Sequence, residues 1–154
     1  MSTGRIGIFV ATITGTAEIC AEEVEGALAG AGLAVKRQMM DGLGADAFAP
    51  FDVVVIISST YGHGDIPDNG QALFESIEAV DTLAGKAFAV FGLGDRTYAA
   101  TFCEAGQKWD ALLAARGASR IAPLVQHDAS SGTLAEDIAA EWAMSWAWQS
   151  KLAA

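Results

Sequence analysis

Short apolar runs recur along this chain, each followed by a longer stretch in which apolar positions return every three or four residues. The runs predict strands at 5–11, 33–39, 52–58, 86–92 and 119–126, and the longer pattern predicts helices near 16–31, 69–80, 100–116 and 133–151. Val53-Val54-Val55-Ile56-Ile57 and Ala87-Phe88-Ala89-Val90-Phe91 are apolar at every position, as central strands covered by helices on both faces should be. The first helix sets Ile19, Val24, Ala27 and Leu28 toward the sheet and Glu18, Glu22, Glu23 and Glu25 away from it, and it stops near Gly30 and Gly32. Around Asp41-Gly42-Leu43-Gly44 the connection is loose, and a further helix there is short or missing. The regular βα alternation predicts an α/β fold: a doubly wound, five-stranded parallel sheet with strand order 2-1-3-4-5.

Composition narrows this picture. With 154 residues and 52% apolar content, the chain suits a single domain over 1–154 with one core. Cys20 and Cys103 lie more than eighty positions apart, each inside a predicted helix, which suggests neither a disulfide framework nor a metal knuckle and fits a reducing cytoplasm. No apolar stretch approaches the roughly 18 residues of a membrane span, and the expected location is cytoplasmic. A formal net charge of −10 repels nucleic acid and anionic lipid and favours partners with basic surfaces.

A sheet of this order binds ligands at the carboxyl ends of its strands, beside the point where strand order reverses. Three loops meet there, at 12–17, 58–69 and 92–99. The first, Thr12-Ile13-Thr14-Gly15-Thr16-Ala17, leads from a buried strand into a helix and offers backbone N–H groups, three Thr hydroxyls and a helix N-terminus to one point. That is a site for a phosphate held without a cation. A Walker loop would need Lys after its second Gly, and a dinucleotide fingerprint would need three spaced Gly; position 17 is Ala. An ordinary Thr-capped helix is the competing reading. The second loop places Gly62 and Gly64 around His63 behind Tyr61, and the third, Gly92-Leu93-Gly94-Asp95-Arg96-Thr97-Tyr98, again sets Gly near a Tyr. These are the only two Tyr of the chain, and two rings on neighbouring loops can sandwich a planar heterocycle, although a loop Tyr also serves simply to cover apolar surface.

Taken together, TITGTAE, STYGHGDIPDN and FGLGDRTY resemble the three FMN loops of the flavodoxin family, in order and over nearly the whole chain. FGLGDRTY is similar to the FMN domains of diflavin reductases. Residues 56–69, Tyr98 with Thr101-Phe102-Cys103, and Glu141-Trp142 with Ser145-Trp146 are similar to short, stand-alone flavodoxins of the MioC type, in which His can stand where this chain has Tyr61. The resemblance implies that FMN is the cofactor and that Thr12, Ile13, Thr14, Gly15, Thr16 and Ala17 enclose its 5′-phosphate through N–H groups and hydroxyls. It also implies that Tyr61 and Tyr98 cover the two flavin faces, and that backbone of Ser59, Thr60, Gly62 and His63, with Gly64, Gly92, Leu93 and Gly94, runs along the ring edge. Gly62 would let its peptide turn so that the carbonyl accepts the proton gained at N5, stabilising a neutral semiquinone. His127 and Asp128 stand where a fourth loop reaches the flavin or ribityl chain, and Asp128 is counted with the cofactor residues. Asp65, Asp68, Asp95 and Asp128 would disfavour an anionic reduced flavin, or serve only as solvated turn residues.

Other features read as structural. Asn69 or Asp68 is expected to cap the helix after Pro67; Trp109, Trp142 and Trp146 to pack in the core; Trp148 to lie on another face, at a partner surface; Cys103 to be a buried thiol. The function implied is an electron carrier and not an enzyme: a monomer that takes electrons from a separate NAD(P)H-dependent flavodoxin or ferredoxin reductase and passes them singly to an acceptor redox enzyme. At 154 residues the chain is expected to carry no FAD or NADPH domain of its own. A phosphorylated receiver domain shares the strand order but would need an Asp after the third strand, where Ser58-Ser59 stand. A small FMN-dependent quinone or azo reductase is the alternative.

Overall fold

The computed structural model describes residues 5–12, 15–60, 65–94 and 103–153, with side chains up to Ala147. Its elements run β1 (Arg5–Ala11), α1 (Thr16–Gly30), β2 (Ala34–Met39), β3 (Val53–Ser58), α2 (Asp68–Glu78), β4 (Ala87–Gly94), α3 (Glu104–Ala115), β5 (Ser119–Arg120), β6 (Val125–Asp128) and α4 (Ala135–Ala153). All strand pairs are parallel, in the order β2-β1-β3-β4-β5, and β6 also pairs with β4, further along the same edge. This is the predicted 2-1-3-4-5 sheet with its last strand in two pieces.

The break in that strand departs from the single strand expected at 119–126. Phe88 pairs with Arg120 and Phe91 with Val125, so two residues of β4 face four residues, 121–124, of the edge. The edge must bulge. Exposed Pro123 lies in the bulge and has no N–H to give to a ladder. No helix forms between β2 and β3, in keeping with the loose segment expected there. A 3-10 turn at Ala45–Phe48 takes its place and buries Phe48 against Phe9, ring centroids 4.8 Å apart.

Alternation along the strands divides the core into two layers. Ile6, Ile8 and Val10 of β1 and Val53, Val55 and Ile57 of β3 face α1 and α4, while Phe9, Val54, Ile56, Phe88 and Val90 face α2 and α3. On α1 the buried stripe is Ala17, Cys20, Ala21, Val24 and Leu28. Ile19, expected on that face, is 49% exposed, because it lies about 100° around the helix from Cys20. Burial, with Glu136 of α4 adding to it, pushes the Cys20 thiol up to about 12, so it stays protonated and inert. Trp109, Trp142 and Trp146 are buried as expected, with Trp142 set against both Phe91 and Trp146 at centroid distances of 5.3 and 5.4 Å. The side chain of Trp148 lies outside the described residues.

Candidate functional site

The sheet register brings the three loops together. Ala11 of β1 pairs with Ser58 of β3, which pairs with Gly92 of β4, so β1 and β3 end on one rung at the carboxyl edge and β4 runs two residues further, to Gly94. The rung continues one step further, where the Ser59 N–H donates to the Ala11 carbonyl at 2.9 Å. Among the described residues, Thr12, Ser59 and Thr60 leave the sheet at this edge.

At the first loop, Gly15 is the N-cap of α1, with φ 94°, and no side-chain hydrogen bond caps the helix among the described residues. Thr12 does not act as a cap. Its hydroxyl oxygen accepts the Gly15 N–H at 2.9 Å and so closes the turn before the helix begins. The first-turn N–H groups of α1 therefore have no side-chain acceptor among the described residues, and the positive end of the helix dipole lies there. The competing picture of a Thr-capped helix thus fails for Thr12. Thr16 is exposed and Ala17 buried, while Ile13 and Thr14 lie outside the described residues. The Thr12 N–H, expected to point at the phosphate, is instead taken by the Asn69 side chain at 3.2 Å.

In the second loop, Ser58 is fully buried and its hydroxyl donates to the Ser59 carbonyl at 2.9 Å. The Thr60 hydroxyl donates to the Leu93 carbonyl at 3.0 Å and accepts the Ala105 N–H at 3.4 Å, joining this loop to the end of β4 and the start of α3. Tyr61, Gly62, His63 and Gly64 lie outside the described residues, as do Asp95 and Tyr98 of the third loop.

The glycines of β4 have a packing role that the sequence did not disclose. A Cβ on Gly92 would lie 3.3 Å from the Val125 carbonyl oxygen and 3.4 Å from the Gly106 Cα, and one on Gly94 would lie 2.6 Å from the Cys103 backbone N. Helix α3 therefore rests directly on the β4 backbone. Cys103, fully buried with φ 52°, makes the turn into α3, and its thiol donates to the His127 carbonyl at 3.6 Å. Leu93 is buried beside His127, its partner across the ladder.

Asp128 ends β6 opposite Gly94, and its carboxylate accepts the Ser130 N–H at 2.9 Å and the Ser130 hydroxyl at 2.7 Å, the turn-forming role open to it from the start. His127 is buried, with Nε2 3.1 Å from the Thr133 hydroxyl. The cap expected for α2 is absent: Pro67 is the N-cap, Asp68 is the first helical residue, and Asn69 turns toward β1. Asn69 is the site residue that sequence reasoning missed. Its polar side chain two places after a Pro reads as a helix cap, and nothing local distinguishes that from a long-range contact.

Comparison with known proteins places this arrangement. The family model for flavodoxin matches residues 8–142. The chain belongs to the flavodoxin family. Flavodoxin YqcA of Escherichia coli K12 is 32% identical over 145 residues, covering 92% of this chain and 95% of that protein. The sulfite reductase [NADPH] flavoprotein alpha-component of Aliivibrio fischeri is 33% identical over 141 residues, covering 90% of this chain and 22% of that larger protein. Among solved structures, a mutant of a flavodoxin from Pseudomonas aeruginosa superposes with a TM-score of 0.85 at 30% identity, over 96% of this chain and 99% of that one. The cofactor of this chain is FMN, and its role is that of an electron carrier. The site fits such a group on its own geometry: the uncapped start of α1 can take a phosphate through fixed N–H dipoles, without a basic side chain.

Proposed function

We propose that the protein is a one-electron shuttle, charged by a separate NAD(P)H-dependent flavodoxin or ferredoxin reductase and discharged to an acceptor redox enzyme. The N-terminus of α1, without a side-chain cap among the described residues and following β1 at the edge where β3 also ends, carries this reading. Residues 12–17 hold the 5′-phosphate, with the Thr16 hydroxyl and the first-turn N–H groups as donors and Ile13 and Thr14 completing the turn. Tyr61 and Tyr98 cover the ring faces. Backbone at Ser59, Thr60, Gly62, His63, Gly64, Gly92, Leu93 and Gly94 would line its edge, and the Gly62 carbonyl would accept a hydrogen bond from N5–H, the proton staying on N5. Asp128 acts through the turn it builds. FMN, when bound, supplies the electron uptake and release.

Docking is guided by charge. Glu22 and Glu23, midway along α1, and Asp137 in the first turn of α4 are exposed, and the chain carries a net charge of −10. A basic partner face is attracted over about a Debye length, so association weakens as salt rises. The deciding experiment is stepwise reduction of the purified protein, followed in the visible spectrum, with stopped-flow mixing against NADPH and NADH. A yellow protein that passes through a blue species and reacts only slowly with either nucleotide supports the shuttle. Fast direct reduction by a nicotinamide nucleotide would identify a small flavin reductase instead.

A further inference from the structure

Asn69 sits on α2, yet its side chain does part of the work of a strand residue. Its Nδ2 donates to the Val10 carbonyl at 3.2 Å, and its Oδ1 accepts the Thr12 N–H at 3.2 Å. In a parallel ladder a residue opposite position 11 makes the same two bonds, giving its N–H to the carbonyl of residue 10 and its carbonyl to the N–H of residue 12. The neighbour on that side of β1 is β2, whose last bond is the Met40 N–H to the same Val10 carbonyl at 3.0 Å before the chain turns away at Asp41. The second Nδ2 hydrogen reaches the Asp41 carboxylate at 3.3 Å and ties the turn back. Met40 stands opposite position 11 but its carbonyl accepts the Leu43 N–H at 3.1 Å, so the Asn69 carboxamide supplies the acceptor that Thr12 would otherwise lack, and it joins the segments after β1, β2 and β3.

We infer that Asn69 is a positioning residue for cofactor phosphate. By keeping Thr12 extended it sets the hydroxyl that accepts the Gly15 N–H at 2.9 Å, and this bond fixes the residue from which α1 starts. The inference rests on residues 12–17 being the phosphate turn. Asn69 itself does not touch the phosphate, and its effect is specific to the phosphate end of the ligand.

Binding of FMN and of riboflavin, which lacks the phosphate, to the apoprotein of Asn69→Ala and of the unaltered chain tests this. The expected result is an FMN affinity lowered about tenfold, in proportion to the lost bonds, with riboflavin affinity within about twofold, a native melting transition, and faster hydrogen exchange at the Thr12 amide. Equal loss for both ligands, or no loss for either, overturns the inference. Failure of the unaltered chain to prefer FMN over riboflavin overturns the phosphate turn itself, a distinct outcome. Should Asn69→Ala not fold, Asn69→Ser keeps a polar residue in the first turn but is too short to span Val10 and Thr12, and the same comparison applies. An unprotected Thr12 amide in the unaltered apoprotein also overturns the inference.

Discussion

Gly15, at the end of the turn leaving β1, has φ 94° and, among the described residues, nothing within 4 Å of where a Cβ would stand. Gly92 and Gly106, by contrast, face each other between β4 and α3 so closely that a Cβ on Gly106 would lie 2.9 Å from the Gly92 Cα. One glycine is required for its backbone and the others for the side chain they lack. The first turn is shaped by hydrogen bonds that Thr12 and Asn69 make. The exit from β4 is shaped by contact, with a helix lying on the strand. A left-handed turn and a tightly packed strand–helix contact thus use the same residue type for opposite reasons.

Substitutions separate the two cases. Gly106→Ala has the largest expected effect, a loss of about 2–3 kcal/mol in urea unfolding of the apoprotein, because backbone opposes backbone and no side chain can rotate away. A loss under about 0.5 kcal/mol would show that α3 and β4 part easily. Gly15→Ala should cost about 1–2 kcal/mol, from forcing an L residue into the left-handed region and not from collision. Gly15→Asn should recover part of this, since Asn tolerates that conformation, whereas an equal cost for Ala and Asn would point to an unseen clash. Thr16→Ala is the mildest for the fold, at about 0.5 kcal/mol or less for an exposed side chain. It should still weaken FMN binding about tenfold relative to riboflavin. Loss of stability without loss of FMN preference would return Thr16 to a structural role.

Much of the fold was legible because its signals are local. All-apolar runs at 53–57 and 87–91 mark buried parallel strands, and the regular insertion of helices between strands leaves few topologies. The interruption at 121–124 was less legible, although Pro123 was visible, because a bulge is defined by its register against β4. Ile19 was misassigned to the core since helical periodicity fixes a stripe only to within a residue or so, and packing against α4 chose Cys20.

The candidate site divides the same way. Sequence by itself determined that three loops rich in Gly, Thr and Tyr meet at one edge of a parallel sheet, since strand alternation and the reversal of strand order follow from local pattern. Only the tertiary structure decided which groups within those loops are already engaged. Thr12 meets Asn69 across 57 positions, and Thr60 meets Leu93 across 33. Gly92 meets Gly106 where α3 crosses β4. Periodicity records which face of an element is buried, but it carries no register between one element and another, and a hydrogen bond of about 3 Å depends on that register.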